Sequence, residues 1–145
     1  MPEFIEVAID KFRFKIATDR LYEEGGVWAR FEAGKVRVGL SDFLQQRSGD
    51  VAFVEVESAG THVEAGDEVA TIETVKVNVS LPSPVSGRVM ETNQVVLEAP
   101  ERINGDPYGA GWLALIEPSA WSFDEARLLT PGAYLEVVKR LAGGG

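Results

Sequence analysis

At 145 residues the chain is long enough for one domain with its own core, and its composition is that of a soluble globular protein. A formal charge of −9 argues against nucleic acid and against anionic membrane surfaces, both of which call for basic patches. With no cysteine and a single histidine, His62, the polypeptide offers no thiol chemistry, no His-rich metal site and only one base for a histidine-assisted nucleophile. No charged and apolar signal segment opens the chain and no run approaches a membrane span, so a cytoplasmic protein is expected.

From the N-terminus, Ile5, Val7 and Ile9 alternate with polar or small residues, and Phe12, Phe14 and Ile16 alternate with Lys and Arg. Period two predicts a hairpin from Phe4 to Ile16 turning at Asp10-Lys11. Asp19 to Gly26 reads as a loop. A second hairpin is predicted from Val27–Phe31 and Lys35–Leu40 around Glu32-Ala33-Gly34. Ser41 should cap a helical turn over Phe43–Gln46, stopped at Ser48-Gly49. Val51–Val56 follows as a strand, and Gly60 closes it. His62 reads as an ordinary loop or strand-edge residue.

Residues 69–79 form the stretch around which the rest is arranged. Val69, Thr71, Val75, Val77 and Val79 are strand formers on either side of a turn that carries one lysine, Lys76. Alternation aims Lys76 to water and its valine neighbours the other way. The order V-x-V, Gly, A-x-I-E occurs twice, from Val54 to Glu73 and from Val77 to Glu117, which suggests two similar β units closing into a flattened sandwich. Lys76 falls at their junction. Between Glu91 and Gly111 the glycines and prolines mark turns, with Tyr108 and Trp112 as end plugs. Beyond Pro118, Ser122-x-x-Glu125 has the form of a capping box and Thr130-Pro131 opens a second helix; the terminal glycines should fray. No catalytic acid–base pair or nucleophile constellation is found, so an enzyme is not expected.

Glu73-Thr-Val-Lys76 resembles the E-S-V-K attachment motif of the glycine cleavage H proteins, which are lipoyl carriers. Val38-Gly39-Leu40-Ser41-Asp42-Phe43 is similar to their V-G-I-T-D-Y segment, and Gly49-Asp50-Val51 to the G-D-I that follows it. Pro84-Val-Ser-Gly87 resembles P-V-S-G, and Asn93, Pro100-Glu101, Asn104 and Asp106-Pro-Tyr-Gly109 with Gly111-Trp112 resemble the family's second half. The likeness runs from about Trp28 to Tyr134. It implies a mainly β fold, a flattened sandwich or barrel of the lipoyl-domain barrel-sandwich type, with short helices chiefly at the C-terminus. Residues 1–145 would then be one carrier domain: an N-terminal hairpin and loop over 1–26, a β core over 27–117 and C-terminal helices over 118–142.

The same resemblance implies a covalent lipoyl group on Lys76, with Gly60, Glu73 and Gly87 serving recognition by lipoate-attaching enzymes. Amide formation removes the lysine charge, and the arm brings redox-active sulfur to a chain without cysteine. The chain departs from the family in places: Gly26-Val27-Trp28 keeps the Trp of H-x-W without its His, Gly60 follows no proline, and the Phe4–Ile16 hairpin has no clear counterpart. These changes favour the H-like lipoate-binding proteins that serve sulfur oxidation with a heterodisulfide-reductase-like complex. The alternative is glycine cleavage, with glycine decarboxylase, aminomethyltransferase and dihydrolipoyl dehydrogenase as partners. A biotin carrier would put methionines beside the lysine, where Val75 and Val77 stand. An unmodified interaction module is the remaining reading. A monomer without metal, nucleic-acid or membrane partners is expected.

Overall fold

The computed structural model describes residues 3–143, so the terminal glycines beyond Gly143 lie outside the described residues. Both expected hairpins form: β1 (Phe4–Ile9) pairs with β2 (Phe12–Ala17), and β4 (Val27–Glu32) with β5 (Lys35–Leu40). Each turn carries a non-glycine residue at positive φ, Asp10 and Ala33, and Gly34 completes the second. The predicted loop at 19–26 holds a two-residue strand, β3 (Leu21–Tyr22), which joins β4. Ser41 caps α1 (Asp42–Ser48) by accepting a hydrogen bond from the Leu44 amide at 3.1 Å.

The remaining strands are β6 (Val51–Val56), β7 (His62–Val63), β8 (Glu68–Thr74), β9 (Asn78–Pro82), β10 (Gly87–Thr92) and β11 (Ala114–Pro118). A six-stranded sheet runs β3-β4-β5-β11-β10-β7, and a three-stranded one runs β6-β8-β9. The two repeated units therefore do not each make their own layer. Strand β9, which begins the second unit, pairs with β8 of the first. Between the layers Val38, Leu40, Ile72, Leu81, Val89 and Ile116 belong to one fully buried aliphatic core. Bulges interrupt β6, β8 and β10, so that Ala52-Phe53 and Met90-Glu91 are exposed in succession while Val69-Ala70 are buried in succession.

The segment read as turns between Glu91 and Gly111 contains two short helices, α2 (Gln94–Glu98) and α3 (Glu101–Gly105). Beyond β11, α4 (Trp121–Glu125) begins two residues too early for the capping box, with Ala120 in place of Ser122 at its N-cap, and no side chain caps it. Trp121 stacks on Phe31 at 5.0 Å and anchors that start, while the buried Asp124 turns inward and accepts a hydrogen bond from the Ser86 amide at 2.9 Å. Leu128 and Leu129 leave the helix, and Leu129 bridges to Tyr22. The last helix, α5 (Pro131–Ala142), is capped by Thr130 with Pro131 in its first turn, as read from the sequence.

A second core, rich in aromatics, lies between the N-terminal hairpin, α1 and α5. It holds Phe14, Tyr22, Trp28, Phe43 and Tyr134, with Tyr22 and Tyr134 stacked at 4.4 Å. The Arg20 guanidinium is sealed between Trp28 (4.5 Å) and Tyr108 (5.2 Å) and paired with Asp19 at 2.8 Å. The outer edge of β2 meets side chains in place of another strand. Asp42 accepts from the Lys15 amide at 2.8 Å, Gln46 donates to the Arg13 carbonyl at 2.8 Å, and Tyr108 donates to the Lys15 carbonyl at 2.7 Å.

Candidate functional site

Lys76 sits at the tip of the β8–β9 hairpin, where the Thr74 amide donates to the Val77 carbonyl at 2.8 Å. Alternation predicts buried valines on either side of it. Instead Val75 is 99% exposed and Val77 42%, because both belong to the tip and not to the strands. The whole apex of the hairpin, apolar side chains included, projects into solvent.

Rigidity at the tip comes from a residue to which the sequence pattern assigns no role of its own. Thr74 is buried, and its hydroxyl accepts from the Lys76 amide (3.1 Å) and the Val77 amide (2.9 Å). Its proton goes to the Ser48 carbonyl at 2.8 Å, at the end of α1. One hydroxyl thus folds the turn and fastens it to a helix 26 residues away in sequence. The serine in the resembled E-S-V-K motif would carry a hydroxyl at the same place, which is the signal that marks the position.

The root of the lysine side chain is held as well. Its stem passes over Gly49, where an added Cβ would meet Lys76 Cβ and Cδ at 3.9 Å, and Nζ donates to the Arg47 carbonyl at 3.3 Å. Gly49 takes φ +93 as the C-cap of α1, a conformation that favours glycine. Asn104, from α3, donates to the Gly49 carbonyl (3.0 Å) and accepts from the Val51 amide (2.9 Å), so it fixes the link between α1 and β6. The Arg47 carbonyl is an acceptor that an amide N–H on the same side chain satisfies as well as an ammonium does. These residues fit an acylated lysine.

Of the other candidate positions, Glu73 shares the tip. It is exposed in β8, opposite Asn78 on one side and the 66% exposed Phe53 on the other. Gly60 and Gly87 lie in or beside the other layer. The Gly60 amide donates to the Val89 carbonyl at 2.7 Å in a turn at φ +97, and Gly87 opens β10 so close to β11 that an added Cβ would stand 2.1 Å from the Glu117 carbonyl oxygen. His62 is an exposed strand residue 3.1 Å from Glu64, whose carboxyl is held below the usual range chiefly by that hydrogen bond. Beside Lys76 opens a groove of about 270 Å³ between β2, α1 and the end of α5.

An exposed lysine on a hydrogen-bonded hairpin tip, projected from a β sandwich, defines a carrier-type domain. The family model "Glycine cleavage H-protein" matches residues 20–141. A probable glycine cleavage system H protein of Aeropyrum pernix is 38% identical over 138 residues, 95% of this chain and 96% of that one. The glycine cleavage system H protein of Rubrobacter xylanophilus is 43% identical over 120 residues, 83% and 92% of the two chains. Among solved structures, a glycine cleavage system H protein from Mycobacterium marinum superposes with a TM-score of 0.76 at 33% identity, covering 82% of this chain and 95% of that one. The chain belongs to the glycine cleavage H-protein family, whose members are lipoyl carriers, not enzymes, and hold lipoate covalently on a lysine.

Two expectations change. These relatives bear the glycine cleavage name, so the sulfur-oxidation preference drawn from the altered N-terminal third gains no support and the glycine cleavage alternative fits better. The N-terminal hairpin lies outside the family model, yet the Aeropyrum match spans 95% of the chain and therefore takes in β2. Among the described residues, no helix is long and apolar enough to cross a membrane.

Proposed function

We propose that Lys76 carries the lipoyl group and that the chain, 1–145 acting as one unit, shuttles the aminomethyl group of glycine between glycine decarboxylase and aminomethyltransferase. The observation that carries this reading is the tip itself, an exposed lysine whose backbone and stem are fixed by Thr74, Gly49 and the Arg47 carbonyl. Lipoate on that lysine would supply a dithiolane whose S–S bond is broken by the aminomethyl fragment left when glycine is decarboxylated, so that one sulfur takes the cargo and the other becomes a thiol; the dithiol left once the cargo is handed on would be reoxidised by dihydrolipoyl dehydrogenase. The protein's part is positional. The tip holds the root of a long flexible arm still, so the arm's end stays at high effective concentration near whichever enzyme is docked.

Attachment needs access. Val75 and Glu73 present the tip to a lipoate-attaching enzyme, and Gly60 and Gly87 serve it indirectly by fixing the β7–β10 edge of the sandwich. A cytoplasmic setting, where these enzymes and their substrate meet, goes with the reading. Intact mass of protein made in a lipoate-competent host should show one lipoyl adduct, absent from Lys76→Ala. An unmodified Lys76 after exposure to several lipoate ligases would count against attachment. A lipoylated protein that fails to support glycine cleavage with the three partner enzymes would count against the cargo alone.

A further inference from the structure

The N-terminal hairpin has one closed edge and one open edge. The Thr18 amide donates to the Glu3 carbonyl at 2.9 Å, in line with the register that pairs Phe4 with Ala17. Bonds of this kind recur at every second pair of an antiparallel ladder, so the backbone groups of Ile5, Val7 and Ile9 turn to β2 and those of Phe4, Glu6 and Ala8 turn away. By the same rule the outward residues of β2 are Arg13, Lys15 and Ala17. Side chains meet four of their six N–H and C=O groups, through Asp42, Gln46, Tyr108 and the Tyr22 hydroxyl, which donates to the Ala17 carbonyl at 2.7 Å. The corresponding groups of Phe4, Glu6 and Ala8 meet no hydrogen-bond partner among the described residues.

The two strands differ on their faces as well. Phe14 and Ile16 of β2 are buried, whereas Val7 and Ile5, which stand opposite them on β1, are only half-buried. With Ile9 they pack on the aromatic core from its margin, so an apolar stripe runs to the open edge and stops there. On the other face Glu6 is exposed and enters no ion pair among the described residues; Lys15, directly across from it, leans over the Phe4 ring with Nζ 5.6 Å from the centroid. A strand laid along β1 would extend the apolar stripe with alternate side chains and could bring a cation to Glu6 with one of those between. A second copy of the chain is a poor occupant. Antiparallel pairing through the same three residues sets Glu6 against its own counterpart, like charges directly opposite, on molecules of net charge −9.

We propose that the outer edge of β1 is a strand-addition site for an extended segment of a partner protein in which apolar residues alternate with polar ones and a lysine or arginine faces Glu6. Main-chain bonds to Phe4, Glu6 and Ala8 hold the segment, and the apolar stripe and Glu6 select it. The hairpin stands beside the carrier tip, since Phe12 and Phe14 of β2 and Lys76 line one groove. The segment therefore belongs to an enzyme docked on the lysine's side; that assignment rests on the carrier reading, and the edge itself does not.

The edge is tested on the full chain with a capped peptide, Lys-Val-Thr-Val-Lys-Val-Thr-Val-Lys, whose central lysine falls opposite Glu6. At saturation it should slow hydrogen exchange at the amides of Phe4, Glu6 and Ala8 and leave those of Ile5 and Val7 as they were. A central glutamate in place of that lysine should weaken binding about tenfold, and Glu6→Lys, at an exposed position, should reverse the order of the two peptides. No protection at the three amides with millimolar peptide, or equal affinity for both peptides, overturns the site. Protection of the same amides in the free protein, rising with its concentration and accompanied by dimerisation, would give the edge to a second copy and overturn it too. Whose segment it is follows from exchange on the lipoylated protein mixed with glycine decarboxylase, aminomethyltransferase or dihydrolipoyl dehydrogenase. One of them should protect Phe4, Glu6 and Ala8. Glycine cleavage that proceeds with all three amides exchanging freely overturns the assignment to these enzymes. Absence of turnover counts against the glycine cleavage reading, and the peptide result then decides the edge by itself.

Discussion

The two cores of this molecule are made of different material. Between the sheets the packing is aliphatic, Val, Leu and Ile in strands that fix the hairpin carrying Lys76. On the other side of β4 and β5 the packing is aromatic, and it binds the N-terminal hairpin and α5 to that scaffold. The family model starts at residue 20, inside the aromatic half and after the hairpin. Attachment and environment are thus separable. The aliphatic half decides where the lysine stands, and the aromatic half supplies Phe14 and Phe43 to the groove beside it.

Breaking each half in turn tests that division. Trp28 is fully buried, donates to the Pro107 carbonyl at 3.1 Å and forms one wall of the Arg20 slot. Trp28→Ala should cost about 3–5 kcal/mol in denaturant unfolding, the range for emptying a large aromatic site. If the halves are separable, Lys76 in the folded fraction should still be lipoylated. A smaller loss is expected in the other half. Thr74→Val removes a hydroxyl that satisfies two amides and the end of α1, and should cost about 1–3 kcal/mol. Its signature is different, because lipoylation should slow even under conditions where the variant is fully folded. A Thr74→Val protein modified at the wild-type rate would show that the tip needs no latch, and Thr74→Ser should restore it.

Local features of the fold were legible where local chemistry decides them. Ile5 to Ile16 and Val27 to Leu40 announce hairpins by alternation, and Ser41 and Thr130 announce helix starts by their hydroxyls. The motif around Lys76 marks it as the candidate, and the structure places it, exposed, between β8 and β9. What escaped depends on partners distant in the chain. Thr74 looks like any strand threonine until Ser48 is placed beneath it. The capping box at Ser122 failed because Trp121 stacks on Phe31 and Asp124 is drawn to Ser86, neither of them near in sequence. Exposed Phe53 and Met90 follow from bulges, which shift the side-chain alternation by one residue and leave no local mark. The groove was invisible for the same reason, since Phe12, Phe43 and Leu141 converge only in three dimensions.

Alkali distinguishes the aromatic half more gently. All three tyrosines of the chain lie in or against it, and burial pushes each hydroxyl upward, Tyr108 to about 12 and Tyr22 and Tyr134 further. The folded chain holds these protons more tightly than the unfolded chain, whose tyrosines titrate near 10. As pH climbs past 10 the unfolded state sheds protons first, so stability present below that value is lost between about 10 and 12. Ultraviolet titration should therefore show tyrosinate appearing together with loss of the folded signal. Tyrosinate at pH 10 in a fully folded protein would contradict the sealed cluster.

The smallest effect belongs to Val75. A side chain 99% exposed makes no packing contribution to lose, so Val75→Ser should change stability by no more than about 0.5 kcal/mol. An apolar residue held in water at the apex nevertheless has something to gain from a partner's surface, and burying a valine there is worth about 1.5 kcal/mol or more. Kinetics of lipoylation should therefore separate what unfolding does not. With stability unchanged, Val75→Ser should raise the Michaelis constant of a lipoate ligase for the protein about tenfold, the factor that such a loss of contact implies, and leave the rate at saturation nearly as it was. An unaltered Michaelis constant would mean that the ligase reads the latched backbone and Glu73 without touching the apex.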